Sequence, residues 1–193
     1  MEGLPERFTA RKFAARIVDK LNFSRNSALR GEIRQHTNPK GVLSDTAMQK
    51  LVMNSASDGA IREFIKDGDF ESRAYEFVNA FFGAVIKVFG SEWVGMSPKT
   101  SRLRHGAGIV AMGFVMEFLY SSEGATTKAE FERGLALLKE YTAWTSGQWR
   151  LGPNDERPWN GIQNTPSDID LLTNYLVRSM KRALRQFRQV ANS

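Results

Sequence analysis

The sequence predicts a mainly α-helical protein of about six helices around one core, with at most a minor edge strand. Three observations carry that prediction. Apolar residues recur at three- and four-residue spacing in several windows, and helix start and stop signals bracket those windows. No strand–turn–strand alternation stands out beyond a fragment near Ile33.

In chain order, Thr9 to Leu21 places Phe13, Ile17 and Leu21 four apart, with Arg11, Lys12, Arg16 and Lys20 elsewhere on the wheel. This reads as an amphipathic helix capped by Thr9. Asn22 to Gly41 carries Ser, Asn, Gly and Pro breakers around Gly31-Glu-Ile-Arg-Gln-His36, a loop or an edge strand. A second helix is expected from Ser44 to about Ser55, with Met48, Leu51 and Val52 inward and a continuation from Ala60 to Lys66. The third spans Phe70 to Phe89, with Gly90 as its stop, and Ser91 to Arg104 is a polar connector. His105 to Tyr120 is apolar nearly all round and is expected at the centre, its Gly106, Gly108 and Gly113 allowing close approach. Thr127-Lys-Ala-Glu130 is a capping box opening the fifth helix through Phe131, Leu135, Leu138 and Tyr141. Thr145 to Gln163 reads as loop. The last helix starts with Thr165 as cap, Pro166 at its first position and Asp168 in its first turn, and runs to about Ala191.

At 193 residues the chain is expected to form a single helical domain, residues 1–193, with a possible subdivision near 91–104. Its 41% apolar and 25% charged content is that of an ordinary globular protein. The absence of cysteine removes disulfides, thiolate nucleophiles, zinc-ribbon sites and iron–sulfur ligation. The first residues mix acid and base without an apolar stretch and do not read as a signal peptide. The longest apolar run, Gly106 to Tyr120, contains Glu117 and falls short of the about 20 residues a bilayer span needs. A soluble, cytoplasmic protein without membrane contact is the expectation.

The net charge of +6 is unevenly distributed. Residues 1–40 hold nine Lys/Arg against four Asp/Glu, and residues 171–193 hold five against none, while the middle is mildly acidic. Basic ends of this kind suit a polyanion-facing surface. On the last helix, Leu172, Leu176, Met180, Leu184 and Phe187 share one face, and Arg178, Lys181, Arg182, Arg185 and Arg188 lie almost opposite. A solvated face is the plain reading of such a row. Solvated faces usually mix signs, however, and a row of five cations without an acid is better matched to phosphates. Arg11, Lys12 and Arg16 on the first helix are the second candidate set.

Catalytic chemistry finds little support. The two histidines, His36 and His105, are far apart in sequence and make no transition-metal pattern, and Asp67-Gly-Asp69-Phe-Glu71 lacks the remaining ligands of a calcium loop and reads as a turn. No GxSxG or GxxxxGK[ST] motif is present, nor a strand-linked GxGxxG. Gly106-Ala-Gly108 after Arg102, Arg104 and His105 could place helix-start amides and basic groups around a phosphate, although a close-packed helix start is the simpler reading. Trp93, Trp144, Trp149 and Trp159 lie in or beside loops, where packing on the core is the default role and base stacking the alternative.

Three segments carry a resemblance: Asn26-Ser-Ala-Leu-Arg-Gly-Glu-Ile33, Lys40-Gly-Val-Leu-Ser-Asp-Thr-Ala47, and the stretch with Trp159, Gln163, Asn164 and the Pro166 helix start. Together they resemble the C-terminal half of DGQHR-domain proteins, which include DndB-type regulators of DNA phosphorothioation and are linked to bacterial DNA-modification and defence loci. The namesake Asp-Gly-Gln-His-Arg run is absent, since Asp58-Gly59 is followed by Ala-Ile-Arg. The resemblance implies a helical region without the signature-bearing half, and no catalytic residue carries over. The expectation is a non-catalytic, DNA-associated accessory or regulatory module without metal or cofactor. Its expected partners are duplex DNA or, in the alternative, an acidic protein partner, with a DGQHR-bearing N-terminal segment as a further candidate.

Overall fold

The computed structural model describes residues 7–65 and 68–191, with side chains from residue 10 onward. Helix α1 (Arg7–Phe23) buries Phe13, Ile17 and Leu21, the residues their spacing places inward. The helix is already under way at Thr9, so Thr9 is not its cap. At its far end the buried Asn22 side chain donates to the Ile33 carbonyl at 2.9 Å and accepts the Ile33 amide at 3.1 Å. That pair of bonds fixes strand β1 (Ile33–Arg34), which runs parallel to β2 (Leu43–Ser44). Gly41 is required here, because a Cβ would lie 2.3 Å from the Ile33 carbonyl.

Ser44 caps α2 (Asp45–Asp58) through the Ala47 amide, and the short α3 (Ala60–Phe64) follows. Lys66 and Asp67, where the sequence suggests a helix end and a turn, lie outside the described residues. Helix α4 (Phe70–Val88) ends with Phe89, and Gly90, expected as a stop, instead opens the one-turn α5 (Gly90–Trp93). The stop by left-handed glycine occurs after α6 (Gly106–Glu123), where Gly124 has φ of 68°. Helix α7 (Lys128–Leu138) has the expected capping box between Thr127 and Glu130, and a 3-10 turn (Lys139–Tyr141) follows it.

The segment expected as loop between Thr145 and Gln163 instead contains an antiparallel hairpin, β3 (Gln148–Gly152) with β4 (Asp155–Pro158). Its inner face is Trp149 and Leu151. Trp149 packs edge-on against Trp144 at 4.9 Å and Tyr175 at 5.9 Å, and its indole N–H donates to the Trp159 carbonyl at 3.1 Å. Helix α8 (Pro166–Ala191) closes the chain.

Helix α6 packs along both α2 and α8, while α4 packs against α7 and α1. This central place explains why α6 is apolar on every side. Gly113 takes the Leu51 side chain of α2, and Gly134 takes Leu119. One contiguous cluster of buried residues runs from Phe13 to Leu184, and Trp93 and Leu103 of the expected connector belong to it. The protein is therefore mainly α-helical, with two small strand pairs. No helix among the described residues is long and apolar enough to cross a membrane.

Candidate nucleic-acid interface

Helix α8 has the most sharply two-sided sequence of the fold. Leu172, Leu176 and Met180 are fully buried, each side chain contributing roughly 1.5–3 kcal/mol on transfer from water. Leu184 is 7% exposed, but Phe187, expected on the same buried face, is 58% exposed and Val190 78%. The last turns of α8 keep the apolar periodicity after the body that covers it has ended.

The five cations of α8 do not form one uniform row. Arg178 donates from Nε to the Asn174 carbonyl at 3.2 Å and from Nη2 to the Leu151 carbonyl at 2.9 Å, which ties the helix to β3. Lys181 sits over the Phe118 ring of α6 at 5.6 Å, and Arg188 pairs with Glu123 at the end of α6. Arg185 returns only to the Lys181 carbonyl, at 3.4 Å. Arg182 has no ion-pair partner among the described residues and lies near Tyr141.

Arg178 and Arg182 open onto a concave groove of about 730 Å³ between α8 and the hairpin. Arg150 of β3 stands on the opposite wall, with Gln148, Tyr141 and Tyr175 completing the lining. Arg150 is 81% exposed and only loosely held by Glu156 at 3.4 Å. Glu140 is the one acidic residue of the groove, so its lining carries three cations against one anion. Sequence spacing does not single out Arg150, because the composition of residues 145–163 predicts a loop where the structure forms the hairpin.

The first-helix set does not join this groove. Helix α1 packs on α2 and α4, whereas α8 packs on α6 and α7. Arg11 and Lys12 are exposed, and Arg16 and Lys20 hold the Glu71 carboxylate at 3.1 and 3.2 Å. The basic ends of the chain therefore form two separate surfaces.

Arg102, Arg104 and His105 do not face one common site: Arg104 and His105 line a cleft between the starts of α2 and α6, and Arg102 is not part of it. Arg102 donates to the carbonyls of Pro98 at 2.9 Å and Asn160 at 2.8 Å, and its guanidinium lies 5.9 Å from the Trp159 ring. Arg104 is 4% exposed, lies 5.0 Å from the Trp93 ring, donates to the Trp93 carbonyl at 2.9 Å and pairs with Glu32. Both arginines hold segments together. His105 is the N-cap of α6, its Nδ1 accepting from the Ala107 amide at 3.4 Å. Burial and the neighbouring Arg102 charge both push its pKa below the ordinary histidine value.

Trp93, Trp144 and Trp149 are buried and present no face for base stacking, and Trp159 is half-buried against the core. The loop carrying Trp159 is held to the α8 start by Asp168, which accepts from the Gln163 amide and from Arg157, both at 2.8 Å. Thr165 caps α8 through the Asp168 amide at 3.3 Å, and Gln163 donates to the Asn160 carbonyl at 3.3 Å. Among the described residues no group of three or more His, Asp or Glu side chains is placed to hold a metal ion.

Fold and site together define a mainly α-helical protein with a basic groove between a long terminal helix and a β-hairpin. No protein-family model, curated protein or solved structure matches the chain.

Proposed function

We propose that this chain is a non-catalytic, DNA-associated accessory or regulatory module that holds duplex phosphates along α8. The observation that carries the reading is the convergence of Arg150, Arg178 and Arg182 on one open groove, with Arg185 next on the same helix. Three guanidiniums facing one concave surface suit a row of phosphates, whose bound counterions they displace. The resemblance to DGQHR-domain proteins adds the setting, a bacterial DNA-modification or defence system, and a DGQHR-bearing segment as companion in the cytoplasm.

Duplex binding measured by fluorescence anisotropy across a salt series tests this. Affinity is expected to fall as salt rises, with a log–log slope of about 0.9 per phosphate neutralised. Arg182→Glu with Arg185→Glu is expected to abolish most of the binding. Absence of binding at low salt, or unchanged binding by the double variant, ends the reading.

One observation favours a second reading. Phe187 and Val190 are exposed at the end of α8, beside its cations, and an acidic partner with apolar side chains would cover both. A stable complex with such a protein, without DNA retention, would select that alternative.

A further inference from the structure

A second concavity, of about 430 Å³, opens between the starts of α2 and α6. Its lining draws on segments far apart in the chain: Arg34 from β1, Ser44 and Thr46 at the start of α2, Arg104 and His105 before α6, and Asn164 before α8. Val42, Leu43 and Pro98 supply apolar wall. The volume lies within the range of about 300–1,000 Å³ typical of small-ligand sites and exceeds what a bare ion needs.

What distinguishes this cleft is an excess of donors over acceptors. Arg34 uses Nε on the Gly41 carbonyl at 2.9 Å, and its terminal nitrogens make no bond among the described residues. His105 accepts a helix amide at Nδ1, so its neutral form carries the proton on Nε2, which donates to nothing among the described residues. Arg104 stands in the wall, nine-tenths buried, and its Nε–H has no acceptor. Two helices of 14 and 18 residues start at the cleft, adding the positive ends of their dipoles. The one carboxylate, Asp45, already accepts from Gln35 at 2.9 Å and from Gln49 at 2.6 Å, and Arg34 offsets its charge.

We propose that this cleft binds a phosphate monoester of about nucleotide size, its phosphate held by Arg34, the His105 Nε2–H and the starts of α2 and α6. Arg104, its charge balanced by Glu32, is a fixed part of the wall. The apolar side chains of Val42 and Pro98 face the body of the ligand. The site is separate from the α8 groove and goes beyond the duplex-binding reading.

Calorimetric titration of the whole chain with dAMP, inorganic phosphate and deoxyadenosine tests the site, together with a short oligonucleotide bearing either a 5′-phosphate or a 5′-hydroxyl. Binding that requires the phosphate is expected. A preference for dAMP over inorganic phosphate marks a free nucleotide as the source, and a preference for the 5′-phosphorylated oligonucleotide marks a nucleic-acid end. Arg34→Gln is expected to weaken binding about tenfold, the loss of one charge-assisted contact. His105→Asn keeps a capping oxygen while removing Nε2–H and is expected to weaken binding less. Arg182→Glu with Arg185→Glu is expected to leave it unchanged, which separates this site from the duplex surface. The proposal is overturned if no phosphate-bearing probe binds, if deoxyadenosine binds as well as dAMP, or if both Arg34→Gln and His105→Asn, folded by circular dichroism, bind like the parent.

Discussion

Arg104 and Glu32, 72 positions apart in sequence, form an ion pair in which the guanidinium is almost wholly buried and the carboxylate reaches the surface. The same guanidinium holds the Trp93 carbonyl, so one side chain joins the residue before β1, α5 and the start of α6. Removing either partner of such a pair leaves the other charge without compensation. Arg104→Ala empties a buried site and strips the Trp93 carbonyl of its donor, and is expected to lower stability by about 2–5 kcal/mol in urea denaturation. Arg104→Lys should recover only part, because one ammonium cannot reproduce the forked geometry. Glu32→Gln should cost less, because its amide oxygen still accepts from the guanidinium and no cavity forms, so only the counter-charge of the buried arginine is lost. An Arg104→Ala chain as stable as the parent would show that the pair is not structural.

Arg150 and Arg188 make opposite predictions for DNA binding. Arg150 faces the groove on a loosely paired, exposed side chain, whereas Arg188 is held by Glu123 at the far end of α8. Arg150→Ala is therefore expected to reduce the salt slope of duplex binding by about one, and Arg188→Ala by clearly less. Equal effects of the two substitutions would argue for diffuse attraction by the whole basic helix rather than a groove.

The contrast between these residues shows where the sequence was informative. The six long helices follow from apolar spacing and local caps, since both signals lie within a few residues of what they determine. Thr127 and Glu130 form their capping box, and Thr165 and Asp168 begin α8, as their types and spacing require. The hairpin was also written locally: Gln148 to Leu151 alternates polar and apolar, and Gly152-Pro-Asn-Asp155 is turn chemistry. That run is short and is flanked by glycine, proline and asparagine, whose composition favours a loop, so the pattern does not bring out Arg150. Arg102 and Arg104 could not be resolved from sequence, because their direction is set by Asn160 and Glu32, distant in the chain. Phe187 shows the remaining limit, for periodicity gives the face of a helix but not how far its neighbours extend.

Glu117 yields a prediction about pH. Its Oε2 accepts from the Ala60 amide at 2.8 Å, while Oε1 is buried without a partner. Burial raises its pKa, the bonds from Ser55 and Ala60 oppose that shift only in part, and nearby Glu63 adds to it. A carboxyl whose folded pKa is raised binds its proton more tightly in the folded state. Its contribution to stability therefore falls as pH rises from the ordinary carboxylate value of about 4.3 through the raised value. Glu117→Gln keeps an acceptor for the Ala60 amide without a charge. It is expected to match the parent near about pH 4 and to exceed it in stability near about pH 7. Glu117→Leu leaves the Ala60 amide unpaired and should cost about 1–3 kcal/mol at either pH. A pH-independent difference between Glu117→Gln and the parent would remove the buried charge as its cause.

Two helical glycines respond oppositely to the same substitution. A Cβ on Gly108 would lie 1.9 Å from the Arg102 carbonyl oxygen and 2.9 Å from its carbonyl carbon, atoms fixed by the turn before α6. A Cβ on Gly83 meets only the Lys128 side chain, at 3.3 Å, and that exposed chain can move. Alanine gains about 1 kcal/mol over glycine in a helix interior at both positions. At Gly83 nothing opposes the gain, so Gly83→Ala is expected to stabilise by up to about 1 kcal/mol. At Gly108 the backbone must shift, at a cost of about 1–3 kcal/mol or more, and Gly108→Ala is expected to destabilise. Thermal denaturation resolves the two, because each kcal/mol moves Tm by roughly 2–4 °C for a chain of this length. A raised Tm for Gly108→Ala would mean that the 102–108 turn yields readily, and the close packing there would not be what fixes the start of α6.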